Sequence, residues 1–175
     1  EVYRIYKGEI LALRGMLHFD MLRLFSASPA IDKERKAIPY LESYTNLPQH
    51  QLTVGAVLEK VVKDLNAARE LMREVDPYGP NYAKLESLYR NHPLLRNRQK
   101  HLNYYAVMGL MARVYMYAEN TTEARRCAMV VIDAHKNRNV FPWADKNDVL
   151  NEKKEIRDRT FSSEHLFALN IKKLT

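Results

Sequence analysis

Residues 8–25, GEILALRGMLHFDMLRLF, place Ile10, Leu13, Leu17, Met21 and Leu24 on one helical stripe, with Leu11, Phe19, Leu22 and Phe25 on other faces. Apolar positions at three- and four-residue steps predict a helix, and one apolar on so many sides is expected to be covered by its neighbours. Residues 26–51 break the pattern with Pro29, Pro39 and Pro48 among scattered polar side chains. They predict an irregular connection longer than ordinary loops, which either serves function or packs against something. The next helix is the clearest amphipathic pattern in the chain. Val54, Val57, Leu58, Val61, Leu65, Ala68 and Met72 keep helical spacing while Glu59, Lys60, Lys63, Arg69, Glu70 and Arg73 face elsewhere, with Thr53 as N-cap. Pro77, Gly79 and Pro80 require it to stop by Asp76. A second irregular stretch, rich in tyrosine and basic residues, runs on to about Gln99.

From His101 the helical pattern returns in HLNYYAVMGLMARVYMYAEN, breaks at Asn120, and resumes in TTEARRCAMVVIDAHK. Asn120 and Glu123 have capping-box spacing, in which the amide covers a free N–H of the first turn and the glutamate reaches back. After His135 the chain is polar and charge-mixed. It closes on FSSEHLFALNI, where Phe161, Leu166, Phe167, Leu169 and Ile171 predict a short strand or extended segment, with a final helix as the alternative. Ala112, Tyr115, Ala124, Ala128 and Val131 follow the small-large-small spacing of a tetratricopeptide repeat, whose small residues let two helices approach closely. One repeat cannot bury its own faces, so 8–75 is expected to form a preceding, degenerate helix pair with an inserted loop. The expected architecture is mainly all-α: tetratricopeptide-like hairpins in right-handed superhelical stacking, with long loops and a short C-terminal extended segment. It occupies one domain, 1–175, with 101–136 as the second helix pair and 137–175 as loop and terminal segment.

Composition supports helices, since 5 glycines in 175 residues argue against a turn-dense sandwich or barrel and against glycine-rich phosphate loops. A single cysteine excludes an internal disulfide framework and a cysteine-based zinc site. The 28 Lys and Arg against 21 Asp and Glu give a net charge of +7, which alone would point to anionic partners. More than half of that excess sits in 84–101, where Lys84, Arg90, Arg96, Arg98 and Lys100 oppose only Glu86. A local patch is therefore expected rather than a uniformly basic surface. No run approaches the roughly 18 apolar residues of a membrane span. The start, EVYRIYKGEI, has neither an initiator Met nor a signal peptide's apolar run, so the first residue is expected to lie inside a longer gene.

The order LRGMLHFDMLRLF, a loop with IPY, LTVGAVLEKVVKDLNAARELM with Asp76-Pro77, YAVMGLMARVYMY and finally FSSEHLFAL resembles the SusD/RagB family across most of the chain. The resemblance implies the helical scaffold of a surface lipoprotein of Bacteroidetes that captures glycans and other nutrients without catalysis. It further implies an outer-membrane location and docking on a TonB-dependent, SusC-like transporter, with a lipid anchor and a large C-terminal half lying outside this sequence. It implies no cofactor and no nucleic-acid partner. The competing expectation is a cytoplasmic repeat adaptor binding a peptide or an anionic polymer through 84–101, with a steep salt dependence.

Sugar recognition uses aromatic faces flanked by hydrogen-bonding side chains. The chain has 11 Tyr against 5 Phe, with 7 of the tyrosines between Tyr78 and Tyr117. Tyr104, Tyr105, Tyr115 and Tyr117 lie at helical spacing and are expected to be packing residues. Tyr78, Tyr82 and Tyr89 lie in irregular backbone, and Trp143 in a loop, so Tyr78, Tyr82 and Trp143 are the candidate ligand contacts. Arg14 and His18 stand one turn apart on an apolar helix, where a charge must be paired; Asp64 is the expected partner of Arg14. The six histidines show no metal-ligand pattern. Ser163-Glu164-His165 has catalytic residue types, but neighbours on a strand point to opposite faces, and no GxSxG elbow occurs. Cys127 is expected to be an inert core thiol. No constellation supports a hydrolase.

Overall fold

The computed structural model describes residues 1–81, 92, 95, 97–153 and 155–168. Among them are five α-helices: α1 (Val2–Phe25), α2 (Val54–Met72), α3 (Tyr104–Tyr117), α4 (Thr121–Arg138) and the single turn α5 (Lys146–Val149). The starts of the long helices after the first are set by caps that the sequence displays. Thr53 Oγ1 accepts from Ala56 N at 3.2 Å, Asn103 Oδ1 from Ala106 N at 3.0 Å, and Asn120 Oδ1 from Glu123 N at 3.1 Å. The reciprocal arm of the capping box is not made. Glu123 instead accepts from Arg126 at 2.6 and 2.9 Å, because a neighbouring guanidinium competes better than a backbone N–H for an exposed carboxylate.

α1 packs on α2, α3 on α4, and α2 joins the two pairs by packing on α3. The closing segment makes one 3-10 turn, Ser162–Glu164, and leaves it in extended backbone at His165 (φ −70°, ψ 122°). No strand occurs among the described residues; an isolated bridge joins Lys36 and Thr53.

α1 corrects the expectation drawn from its stripe. Ile10, Leu13, Leu17, Met21 and Leu24 are exposed, Ile10 at 63% and Leu24 at 72%. The covered face is Ile5, Gly8, Ala12, Gly15, Phe19 and Leu22. Small residues on that face let the helix backbones close up. A Cβ at Gly8 would stand 2.7 Å from Met72 Cγ, and one at Gly15 3.4 Å from Leu65. Close approach gains more contact than the larger side chains of the other stripe could make across a wider gap. α2 buries its apolar face as expected, from Val54 to Met72, against α1 and against Tyr105, Val107, Met108 and Met111 of α3.

The long connection after α1 is held down on the helices. Ala37 N donates to Leu52 O at 2.8 Å and Leu52 N to Ile38 O at 3.1 Å, which brings Ala37 and Tyr40 into the core. Tyr40 stacks on His18 with ring centroids 4.0 Å apart and donates its hydroxyl to Asp64 Oδ2 at 2.6 Å. Arg14 closes the same network: Nε and Nη2 donate to the two Asp64 oxygens at 2.6 and 2.7 Å, and Nη1 donates to Glu42 O at 2.9 Å. The expected Arg14–Asp64 pair thus ties α1 to α2 and fixes the loop as well. Burial alone would raise the Asp64 pKa, but the bonds from Arg14 and Tyr40 outweigh it and hold the carboxyl below its ordinary range.

Asp64→Ala would leave Arg14 without its partner. Because Arg14 is 24% exposed, the cost expected in denaturant unfolding is about 2–3 kcal/mol, below the roughly 3–5 of a fully buried pair. A carboxyl with a depressed folded pKa contributes stability that is fully present above the ordinary carboxylate value, about pH 4, and is lost as pH falls through the folded value. Asp64→Asn should therefore flatten the acid limb of the stability-pH curve; an unchanged limb would show that the pair contributes nothing.

Candidate functional site

Where α2 ends, the chain places a carboxylate with no solvent exposure. Asp76 is completely buried, and Arg98, from the 3-10 turn Arg98–Lys100, is 3% exposed. A buried charge is tolerated only when fully paired. Asp76 Oδ2 accepts from Arg98 Nη2 at 2.8 Å and from Tyr104 N at 3.0 Å, while Oδ1 accepts from Tyr78 N at 2.8 Å and Arg98 Nε at 3.3 Å. Arg98 Nη1 donates to Glu9 Oε2 at 2.6 Å, and Nη2 also donates to Leu102 O at 3.2 Å. Burial alone would lower the Arg98 pKa, but the Asp76 and Glu9 carboxylates outweigh it and raise it. One knot therefore joins α1, the exit of α2, the turn carrying Gln99 and Lys100, and the start of α3.

Beside this knot lies a cleft of about 420 Å³. Tyr78 follows Asp76 into it, Gln99 and Lys100 come from the 3-10 turn, Arg138 and Asn139 from the end of α4, and Ser163 and His165 from the closing segment. Its aromatic base continues into the core: Tyr78 and Phe141 have ring centroids 6.4 Å apart, and Phe141 meets the buried Tyr105 edge-on at 6.1 Å. Arg138 lies over the Tyr105 ring at 5.4 Å and donates through Nη1 to Gly79 O at 3.0 Å and Pro80 O at 2.9 Å, which anchors the Tyr78 loop to α4. The backbone here is strained. Of the five non-glycine residues with positive φ among those described, Asn139 and Phe141 line the cleft, Phe161 precedes its Ser162, and Asn97 caps the turn carrying Lys100. Such conformations cost of order 1–3 kcal/mol each outside Asn and Gly and cluster at working sites.

Of the candidate contacts, Tyr78 lines the cleft. Trp143 follows the lining residue Pro142, is 74% exposed, and sets its ring edge-on to His135 at 5.1 Å, whose Nδ1 bonds to Phe141 O. Tyr82 and Tyr89 lie outside the described residues, as do Lys84, Glu86, Arg90 and Arg96 of the basic stretch. Arg98 does not belong to a surface patch, since its charge is spent internally. Tyr104 and Tyr105 are buried, and Tyr115 and Tyr117 pack on the core, as their spacing predicts. Ala124 is buried, and together with Ala112 and Ala128 it borders a groove of about 300 Å³ between α3 and α4.

Ser163 and His165 do line one cleft, because the segment turns rather than running as a strand, while Glu164 Oε1 is occupied by Ala144 N at 2.9 Å. No hydrogen bond joins Ser163 to His165. Cys127 is buried, which pushes its thiol pKa up. No group of metal-ligating side chains occurs among the described residues. Sequence reasoning missed Asp76 and Arg98 as a pair, and it missed Lys100, Arg138 and Asn139 as one wall. A carboxylate directly before Pro77 at a helix exit is the one signal that pointed there.

These elements define paired helical hairpins with an aromatic-based polar cleft at one end. No family profile and no curated protein matches the sequence. Solved structures share the fold. A SusD superfamily protein of Bacteroides thetaiotaomicron matches 77% of this chain at 24% identity, TM-score 0.60. A SusD superfamily protein of Bacteroides vulgatus matches 78% at 22% identity, TM-score 0.59, and a SusD-like carbohydrate binding protein of the same species matches 83% at 18% identity, TM-score 0.58. The chain resembles SusD-type proteins in fold and spans only 26–28% of the length of these three.

Arg98→Ala should destabilise the protein by about 3–5 kcal/mol, because it leaves the fully buried Asp76 carboxylate with two backbone amides and no counter-charge, and leaves Glu9 with His101 alone. Arg126→Ala, which breaks an exposed pair, should cost less than about 1 kcal/mol. Urea unfolding of the two variants measures the difference; equal costs would mean that the knot is no more than a surface pair.

Proposed function

We propose that this chain is the helical scaffold of a SusD-type protein that captures glycan without transforming it, and that residues 1–175 form one domain of that protein. The observation that supports this most is the shared fold with SusD-like structures, one of them a carbohydrate binding protein. The cleft adds the chemistry. Tyr78 and Phe141 offer apolar ring surface, and Gln99, Asn139 and Ser163 offer hydrogen bonds for hydroxyl groups. Trp143, exposed beside the cleft, serves in this proposal as an outer stacking platform.

On this reading the protein works at the outer membrane and passes its ligand to a TonB-dependent, SusC-like transporter. No helix among the described residues is long and apolar enough to cross a membrane, and on this reading attachment is by a lipid anchor outside this sequence. No cofactor, metal or nucleic acid takes part.

Calorimetric titration of the intact protein with soluble oligosaccharides should give saturable binding with no new reducing ends. Tyr78→Ala should weaken it about tenfold or more, the equivalent of about 1.4 kcal/mol. Absence of binding to every sugar tried, or cleavage of any, would contradict the proposal.

A further inference from the structure

The cleft carries a charge that recognition of a neutral sugar does not need. Lys100, Arg138 and His165 are among its lining residues, and no carboxylate among the described residues lines it. The Lys100 ammonium makes no ion pair or hydrogen bond with another described residue. Arg138 commits Nη1 to the two carbonyls of the Tyr78 loop, which leaves the donors of Nε and Nη2 for a ligand. The carboxylates of the neighbouring segment keep their charge but are turned to local backbone and hydroxyl donors and do not line the cleft. Asp158 accepts from Ser162 N at 2.8 Å, Ser162 Oγ at 2.9 Å and Thr160 N at 3.0 Å, and Glu164 is held by Ala144 N. The C-terminal dipole of α4 contributes about half a negative charge, which two full cations outweigh.

Resting on the glycan-binding reading above, we infer that the cleft takes an acidic sugar, one whose ring carries a carboxylate or a sulfate that Lys100 and Arg138 receive. A guanidinium with a free edge meets either anion through two parallel N–H bonds, and an ammonium adds a point charge. A neutral ring entering the same cleft displaces water from Lys100 and gives no counter-charge in return, so discrimination follows from the unpaired cation as well as from the attractive contact. Gln99, Asn139 and Ser163 then set the orientation of the ring through its hydroxyls.

The test is calorimetric titration of the intact protein with three tetrasaccharides: a galacturonate oligomer bearing carboxylates only, a carrageenan oligomer bearing sulfates only, and neutral maltotetraose. At least one acidic ligand should bind about tenfold tighter than the neutral one or better, and raising salt should weaken that binding alone. Lys100→Gln should remove about tenfold of the acidic affinity and should not weaken neutral binding, so that the preference for the acidic ligand collapses, while Lys100→Glu should abolish acidic binding. Because the Lys100 ammonium bonds to no other described residue and its backbone bonds to Asn97 O and Ala168 N survive substitution, both variants are expected to keep the parent circular dichroism and melting temperature. The carboxylate and sulfate arms identify which anion the cleft prefers. Equal affinity for acidic and neutral sugars, or an equal effect of Lys100→Gln on both, would overturn the inference and leave glycan binding standing. Failure of all three to bind would overturn both.

Discussion

The Asp76–Arg98–Glu9 knot is the interaction on which the rest of the site depends. A carboxylate with no exposure is a large liability, and Asp76 meets it with four donors drawn from three places in the chain. Each of the three donor residues fixes a different element. Tyr78 N sets the path of the chain leaving α2, Tyr104 N sets the start of α3, and Arg98 draws in the turn that presents Gln99 and Lys100. Glu9 then ties the assembly to α1. Without the knot these segments share no regular secondary structure that would hold them together.

A division of labour between two polar networks follows. Arg14, Asp64, Tyr40 and His18 lock the α1–α2 pair and its long connection, and none of them lines the cleft. Asp76, Arg98 and Glu9 lock the α2–α3 junction, which the cleft abuts. Left-handed backbone at Phe141 in the cleft wall and at Phe161 just before Ser162 carries a cost that the surrounding packing must offset. The Leu166 side chain contributes on the far side: a Cβ on Gly109 would come within 2.8 Å of it, so the closing segment lies close on α3.

Much of the fold was legible in the sequence because local signals decide it. Caps at Thr53 and Asn120 start helices, Pro77 and Pro80 forbid continuation, and the spacing of Val54 to Met72 names the buried face of α2. The Arg14–Asp64 pair was legible because a charge on an apolar helix demands a partner. The covered face of α1 was not, since both of its stripes are apolar and the choice between them was made by Gly8 and Gly15, through how closely α2 can approach. Glu123 went astray because Arg126 competes for it one turn on. The candidate site was the least legible part. Its walls come from four segments without a shared period, its key pair spans Asp76 to Arg98, and Arg98 reads in sequence as one more member of a basic run.

One apolar stripe of α1 faces outward, and the chain spans about a quarter of the length of the SusD-type structures whose fold it shares. What the present residues establish is how a cleft is held at the end of a helical stack. Native-state hydrogen exchange of the amides of Tyr78 and Tyr104 tests that account most directly. Both N–H groups bond to Asp76, so both should exchange as slowly as the core amides of α2, through global opening, although Tyr104 stands at a helix start where amides ordinarily fray. Exchange as fast as that of Thr121 or Thr122, in the exposed first turn of α4, would show that the knot opens locally and does not hold the site.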